Sequence, residues 1–115
     1  PVTYVEKMPK SVLQSNWYYN VFKDWPSDHW HYKAISAYEL LDKHGYDQVP
    51  TGSVWSSHEN FEKLTAFCKE NISSEHLLGM MQTTWERIDP DWMHVHHAAA
   101  EHIAIAKQQY EREQK

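Results

Sequence analysis

Apolar and polar positions along the chain switch repeatedly between a strand pattern and a helix pattern. Ser11–Tyr19 (SVLQSNWYY) is short, aromatic or β-branched at several positions, and free of Gly and Pro, which predicts a strand. A loop follows over Asn20–Asp28, punctuated by Pro26. Ala34, Tyr38 and Leu41 then recur at helical spacing between His29 and His44, and Gly45 stops the helix. A second strand is expected over Gln48–Trp55, weakened by Pro50 and Gly52, because proline cannot donate to a central ladder. Ser56 and Glu59 have the spacing of a capping box, and Phe61, Leu64, Cys68 and Ile72 form one apolar stripe of the helix behind it. His76–Trp85 (HLLGMMQTTW) is a nearly continuous apolar run of the kind that suits a strand covered on both faces. Asp89 as N-cap and Pro90 at the first helical position open a third helix, along which Trp92, His96, Ala99, Ile103, Ala106 and Tyr110 follow one face. Residues 1–10 read as a connector and Glu111–Lys115 as a polar tail.

The order β-α-β-α-β-α implies an α/β fold with parallel strands joined by right-handed crossovers. The chain has 115 residues, enough for one domain. A complete (β/α)8 barrel needs about 250. The expectation is therefore a single domain over residues 1–115, made of three consecutive βα units and forming the carboxyl-terminal part of a larger TIM barrel. The chain opens at Pro1 rather than methionine, from which an upstream portion is expected.

Composition narrows the chemistry. A formal net charge of -5 argues against a nucleic-acid partner, which would favour a basic face. No stretch has the apolar length of a membrane span. Cys68 is the single cysteine, so no intrachain disulfide forms, and its place on an apolar stripe makes it a core residue. No Gly-rich phosphate loop and no Ser-His-Asp order is visible, and no cofactor is expected. His94, His96, His97 and His102 fall at successive spacings of 2, 1 and 5, not the i, i+4 pair of H-E-x-x-H, and His29 and His31 stand two apart. Solvated or partly packed histidines are expected, with a metal-dependent enzyme as the least favoured reading.

The aromatic content is high, with six Trp and seven Tyr, and its placement is informative. Each predicted strand ends in a small polar residue or valine followed by tryptophan: Ser15-Asn16-Trp17, Ser53-Val54-Trp55 and Thr83-Thr84-Trp85. Parallel α/β folds collect function at the carboxyl ends of their strands. A tryptophan there offers a broad apolar face and one N–H donor, a surface on which the C–H face of a sugar ring stacks well. Asn16, Tyr18, Asn20, His58 and Glu86 are polar neighbours able to orient hydroxyls, so the set suggests a carbohydrate pocket. A strand-end tryptophan equally serves to plug a barrel mouth or to cover a helix. Glu86 is the only carboxylate directly at a strand end, whereas glycosidases usually place two carboxyl groups roughly 5–9 Å apart. Asp24 and Asp28 in the first loop are further candidates, and Asp89 is better used as a helix cap.

The segment Val12-Leu13-Gln14-Ser15-Asn16-Trp17-Tyr18-Tyr19-Asn20 resembles a late barrel strand of the family 20 glycoside hydrolases, the β-N-acetylhexosaminidases, which carry a Ser-x-x-Trp-Tyr-x-Asp-like pattern there. Leu78-Gly79 through Trp85-Glu86 is similar to the last strand of that family, which ends in Trp-x-Glu. The resemblance implies that Tyr18 bonds the substrate's acetamido oxygen, that Asn20 faces sugar hydroxyls, that Glu86 holds outer hydroxyls of the terminal sugar, and that Trp85 forms pocket wall. It also implies a secreted or periplasmic location. Asn20 stands where the family has an acid, Trp85 and Glu86 are adjacent, and Gln48–Ile72 intervenes between segments expected on neighbouring strands. The family's catalytic Asp-Glu pair lies on an earlier strand without a counterpart in this chain.

The leading expectation is a glycoside-hydrolase-like barrel portion whose substrate-binding residues are Trp17, Tyr18, Asn20, Trp55, Trp85 and Glu86, with no catalytic residue of its own. Its partner would be a carbohydrate, of N-acetylhexosamine type if the resemblance holds. The alternative is a non-catalytic binding or assembly module that closes a barrel with the missing half or with a second copy, since open sheet edges seek partners.

Overall fold

The structure is a computed structural model and describes residues 2–20, 22, 26–54, 57 and 59–112. Along the chain it forms α1 (Val2–Lys7), α2 (Trp30–Lys43), β1 (Thr51–Ser53), α3 (Asn60–Asn71), β2 (Met81–Thr83), a 3-10 turn (Pro90–Trp92) and α4 (Met93–Arg112). The fold is mixed α/β, with β1 and β2 paired in parallel as Thr51–Met81, Gly52–Gln82 and Ser53–Thr83.

Three extended segments run parallel, but regular strand is shorter than the sequence suggests. Segment 11–19 joins through isolated parallel bridges, Gln14 to Gln48 and Trp17 to Thr51, and Gln48 also bridges Leu77. The first ladder is carried by Gln14 N–H to the Asp47 carbonyl, Val49 N–H to Gln14, Thr51 N–H to Asn16 and Tyr18 N–H to Thr51, at 2.9–3.1 Å. Two features cut the strands down. Pro50 has no N–H to give to the middle segment. Between the Gln48–Leu77 and Thr51–Met81 pairs, one segment advances three residues and the other four. The extra residue falls near Gly79 and acts as a bulge.

Side chains alternate across these segments with period two. On one side Tyr18 packs with Tyr38, Leu64, Cys68 and Ile72. There the Gln48 amide donates to the Tyr38 carbonyl at 3.0 Å, and the Gln82 amide donates to Ala99. The helices α2, α3 and α4 all lie on this side. On the opposite side the Ser15 and Thr51 hydroxyls meet at 2.6 Å, and Ser53 Oγ donates to the Thr83 carbonyl at 2.7 Å. No helix covers that side among the described residues. The run 76–85 is consequently not covered on both faces as its apolar content suggests: Leu78 is 59% exposed and Met81 50%.

The helices show how their ends are set. α2 matches its expected span, with His29 as N-cap accepting His31 N–H. Gly45 at φ 82 closes it, with Gly45 N–H to the Asp42 carbonyl and Tyr46 N–H to Leu41, the Schellman arrangement. Leu41 and Tyr46 pack together, and Val5 of α1 joins them. Residues 2–10 are therefore more than a connector. The Tyr46 hydroxyl donates to the Met8 and Val5 carbonyls at 2.7 and 3.1 Å, and Lys10 Nζ lies 3.9 Å above the Tyr46 ring. A six-residue helix is unstable alone and forms here through that docking. α3 buries Phe61, Leu64 and Cys68, with Ile72 at its end, as its stripe predicts. It starts only at Asn60, with Glu59 in the cap position and no side-chain cap bond. Ser56 of the expected capping box lies outside the described residues. Asp89 caps the 3-10 turn through Asp91 N–H, with Pro90 in the first position, and α4 follows. Ala99 and Ala106 are buried, but Ile103 is not.

Leu64→Ala removes a fully buried side chain and should lower stability by about 2–5 kcal/mol, whereas Leu78→Ala should change it by less than about 0.5 kcal/mol, both read by urea denaturation. The His76–Asp47 hydrogen bond at 3.1 Å raises the histidine's pKa above its ordinary value. A raised folded pKa stabilises the fold at pH below the unfolded value near 6.5, and the gain disappears as pH rises through the folded value. The difference in melting temperature between the native chain and Asp47→Asn should therefore be larger at pH 5.5 than at pH 8.5.

Candidate functional site

Period-two alternation places Trp17 and Tyr19 side by side on the uncovered face, at the carboxyl end of the first segment. Their rings are nearly parallel, 11° apart in plane with centroids at 6.0 Å. Trp85, just beyond β2, meets Trp17 edge-on at 65° and 5.6 Å, and lies 6.5 Å from Tyr19. The two indoles are 57% and 56% exposed, so each keeps an open ring surface despite the contact. The result is an aromatic corner, one floor and one wall.

Hydrogen bonds fix the corner. Trp85 Nε1–H donates to the Tyr19 hydroxyl at 3.0 Å, and Thr83 Oγ1 donates to the same oxygen at 3.2 Å. Beneath lie the Ser53–Thr83 and Ser15–Thr51 contacts, so the floor under the rings is a layer of hydroxyls rather than of branched aliphatic side chains. Trp85 has φ 59, a left-handed conformation that costs a non-glycine residue about 1–2 kcal/mol. A net hydrogen bond contributes about 1 kcal/mol, so the Tyr19 contact offsets much of that strain. The loop behind Trp85 is tied to α4 through His96. Its Nε2–H donates to the Arg87 carbonyl at 2.9 Å, which leaves Nδ1 to accept the Thr84 hydroxyl at 3.3 Å.

Of the six residues expected at the site, Trp17 and Trp85 come together. Asn20 is half-buried, and its backbone carbonyl accepts the Asn60 side-chain amide at 2.8 Å. Glu86 follows Trp85 and is half-buried. Tyr18 points the other way: it is buried in the core and its hydroxyl bonds His31 Nδ1 at 2.8 Å. Trp55 lies outside the described residues, as do His58 and Asp24. Tyr19 is the site residue that sequence reasoning missed. The signal was its i+2 spacing from Trp17, which puts both on one face of an extended segment.

Two further titratable groups have structural roles. His102 pairs with Glu62 between α4 and α3. Burial pushes the Cys68 thiol far above its ordinary pKa, so it is an unreactive core residue. Among the described residues, no group of three or more His, Cys, Asp or Glu side chains is arranged to hold a metal ion. No helix there is long and apolar enough to cross a membrane.

Trp85→Gly should be more stable than Trp85→Ala by about 1 kcal/mol in urea denaturation, because glycine adopts the left-handed conformation without strain. Equal stabilities would mean that Trp85 is not held left-handed in solution.

Comparisons with protein families, characterised proteins and solved structures returned no match.

Proposed function

We propose that this chain is part of the wall of a carbohydrate-binding barrel of the β-N-acetylhexosaminidase kind, its extended segments being three consecutive βα units of a (β/α)8 architecture. One observation carries the reading: two tryptophans with open ring faces form a corner at the carboxyl ends of parallel segments, above hydroxyls. Spatial order 1-2-3 with α2, α3 and α4 on one side is the arrangement of a singly wound barrel wall, and supports the architecture.

In this reading a pyranose lays its C–H face on Trp17 or Trp85. Asn20 and Glu86 orient hydroxyls. The role that the family resemblance gives to Tyr18 passes to Tyr19, whose hydroxyl is on the open face. The general acid and its partner belong to other strands of the intact barrel. The reading of this chain as an assembly module is favoured by a separate observation: Leu13 and Met81 are each 50% exposed on the uncovered face, as an unclosed barrel interior would leave them. Sedimentation over a range of concentrations tests it, and a mass that stays monomeric throughout counts against self-closure.

Titrating the chain's tryptophan fluorescence with N-acetylglucosamine should give a saturable change, with none for glucose. Trp17→Ala should abolish that change while far-ultraviolet circular dichroism stays as in the native chain. A folded native chain that responds to neither sugar would sink the sugar-binding reading.

A further inference from the structure

Asn60 is a fully buried polar side chain at the start of α3, and nothing in a helix start requires it to be inaccessible. Its carboxamide makes two hydrogen bonds, one in each direction. Oδ1 accepts Ser53 N–H at 3.0 Å, and Nδ2 donates to the Asn20 carbonyl at 2.8 Å. Both partners are main-chain groups at the carboxyl ends of adjacent parallel segments.

The position of this amide in the ladder gives it meaning. Val49 N–H bonds Gln14, and two residues on Thr51 N–H bonds Asn16. The next rung, by the same period, would run from Ser53 N–H to Tyr18. It is replaced by Asn60, so a side-chain amide enters where the two segments diverge, satisfies the Ser53 N–H that divergence would orphan, and ties it to the Asn20 carbonyl at the end of the neighbouring segment. An amide is matched to the task because it carries an acceptor oxygen and a donor nitrogen in one plane, as a peptide group does.

Gly52 makes the approach possible. A Cβ there would lie 2.8 Å from Asn60 Oδ1, 3.1 Å from Leu64 Cδ2 and 3.3 Å from Phe61 Cδ1. Any other residue would push the amide away from Ser53.

We infer that Asn60, admitted by Gly52, is the positioning residue of the aromatic corner. The Asn20 carbonyl that it holds follows Tyr19 directly in the chain, and the Tyr19 hydroxyl in turn receives Trp85 Nε1–H. Asn60 therefore sets the splay of the mouth and, through the backbone at Tyr19, the angle between floor and wall. This deepens the sugar-binding reading and rests on it for its functional consequence, but its first readout needs no sugar.

The test follows the Trp85 indole N–H signal by NMR in the 115-residue chain, assigned by its loss in Trp85→Phe. Asn60→Asp keeps the acceptor for Ser53 and removes the donor to Asn20, while Gly52→Ala displaces the whole amide. Both variants should move or broaden the Trp85 indole signal and weaken N-acetylglucosamine binding severalfold. A purely structural role would lower the denaturation midpoint and leave that signal in place in the folded protein, which would overturn the inference. A signal that moves in a chain whose native form binds no sugar upholds the positioning role and removes the sugar reading. If neither variant folds, proton exchange in the native chain decides. Slow exchange of the Ser53 amide and the Asn60 carboxamide supports the bridge, and exchange of both at the rate of exposed groups overturns it.

Discussion

Everything at the open face depends on the parallel ladder between residues 14–18 and 47–51. Its hydrogen bonds fix not only which segments are neighbours but which side of each faces the helices. Once Gln14 stands opposite Gln48 and Trp17 opposite Thr51, the pleat sends Tyr18 toward Tyr38 and Leu64 and sends Trp17 and Tyr19 the other way. A slip of one residue would exchange the two sets, burying the tryptophan in a core shaped for Tyr18. The helix side resists that slip, since the Tyr38 hydroxyl donates to the Asn16 carbonyl at 2.9 Å.

What could be read from the sequence divides along the same line. Helices with strong end signals were legible: Gly45 closes α2 where expected, and Asp89-Pro90 opens the last helical stretch. The start of α3 was not, because the capping-box spacing at Ser56 and Glu59 competes with a tertiary role for Asn60 that no local pattern reveals. α1 was missed because its stability lies in the contact of Val5 with Leu41 and Tyr46, more than thirty residues away in the chain. The apolar run at 76–85 suggested two covered faces, but apolar content alone does not say which side a helix will occupy. At the site, strand-end position identified Trp17 and Trp85. The adjacent Trp-Tyr pair drew attention to Tyr18, although alternation requires neighbours in an extended segment to face opposite ways.

Two glutamines show what it costs to hold helices on a narrow sheet. Gln48 and Gln82 each donate to a helix carbonyl, of Tyr38 and Ala99, and each leaves its own carboxamide oxygen buried without a partner. An orphaned buried acceptor costs about 1–3 kcal/mol, so neither side chain is there for net stability alone. A leucine at either place would bury as much apolar surface but would not fix how far the helix sits along the strand. The glutamines tie α2 and α4 to the middle and last segments at fixed points.

Beneath the aromatic corner the open face is lined by hydroxyls, while Leu13 and Met81, nearer the amino ends of their segments, are apolar. Barrel interiors are usually packed by branched aliphatic layers, which drive water out. Here Ser15, Thr51, Ser53 and Thr83 satisfy one another across the segments, so the layer beneath the aromatic corner has its hydrogen bonds without a covering core. Thr51 and Ser53 are nonetheless buried, which keeps bulk water from competing for those bonds. Such a floor is rigid without being greasy. It supports Tyr19 and Trp85 from below, and it does not collapse onto them as a hydrophobic layer would. The indole faces consequently stay open, as the sugar-binding proposal requires.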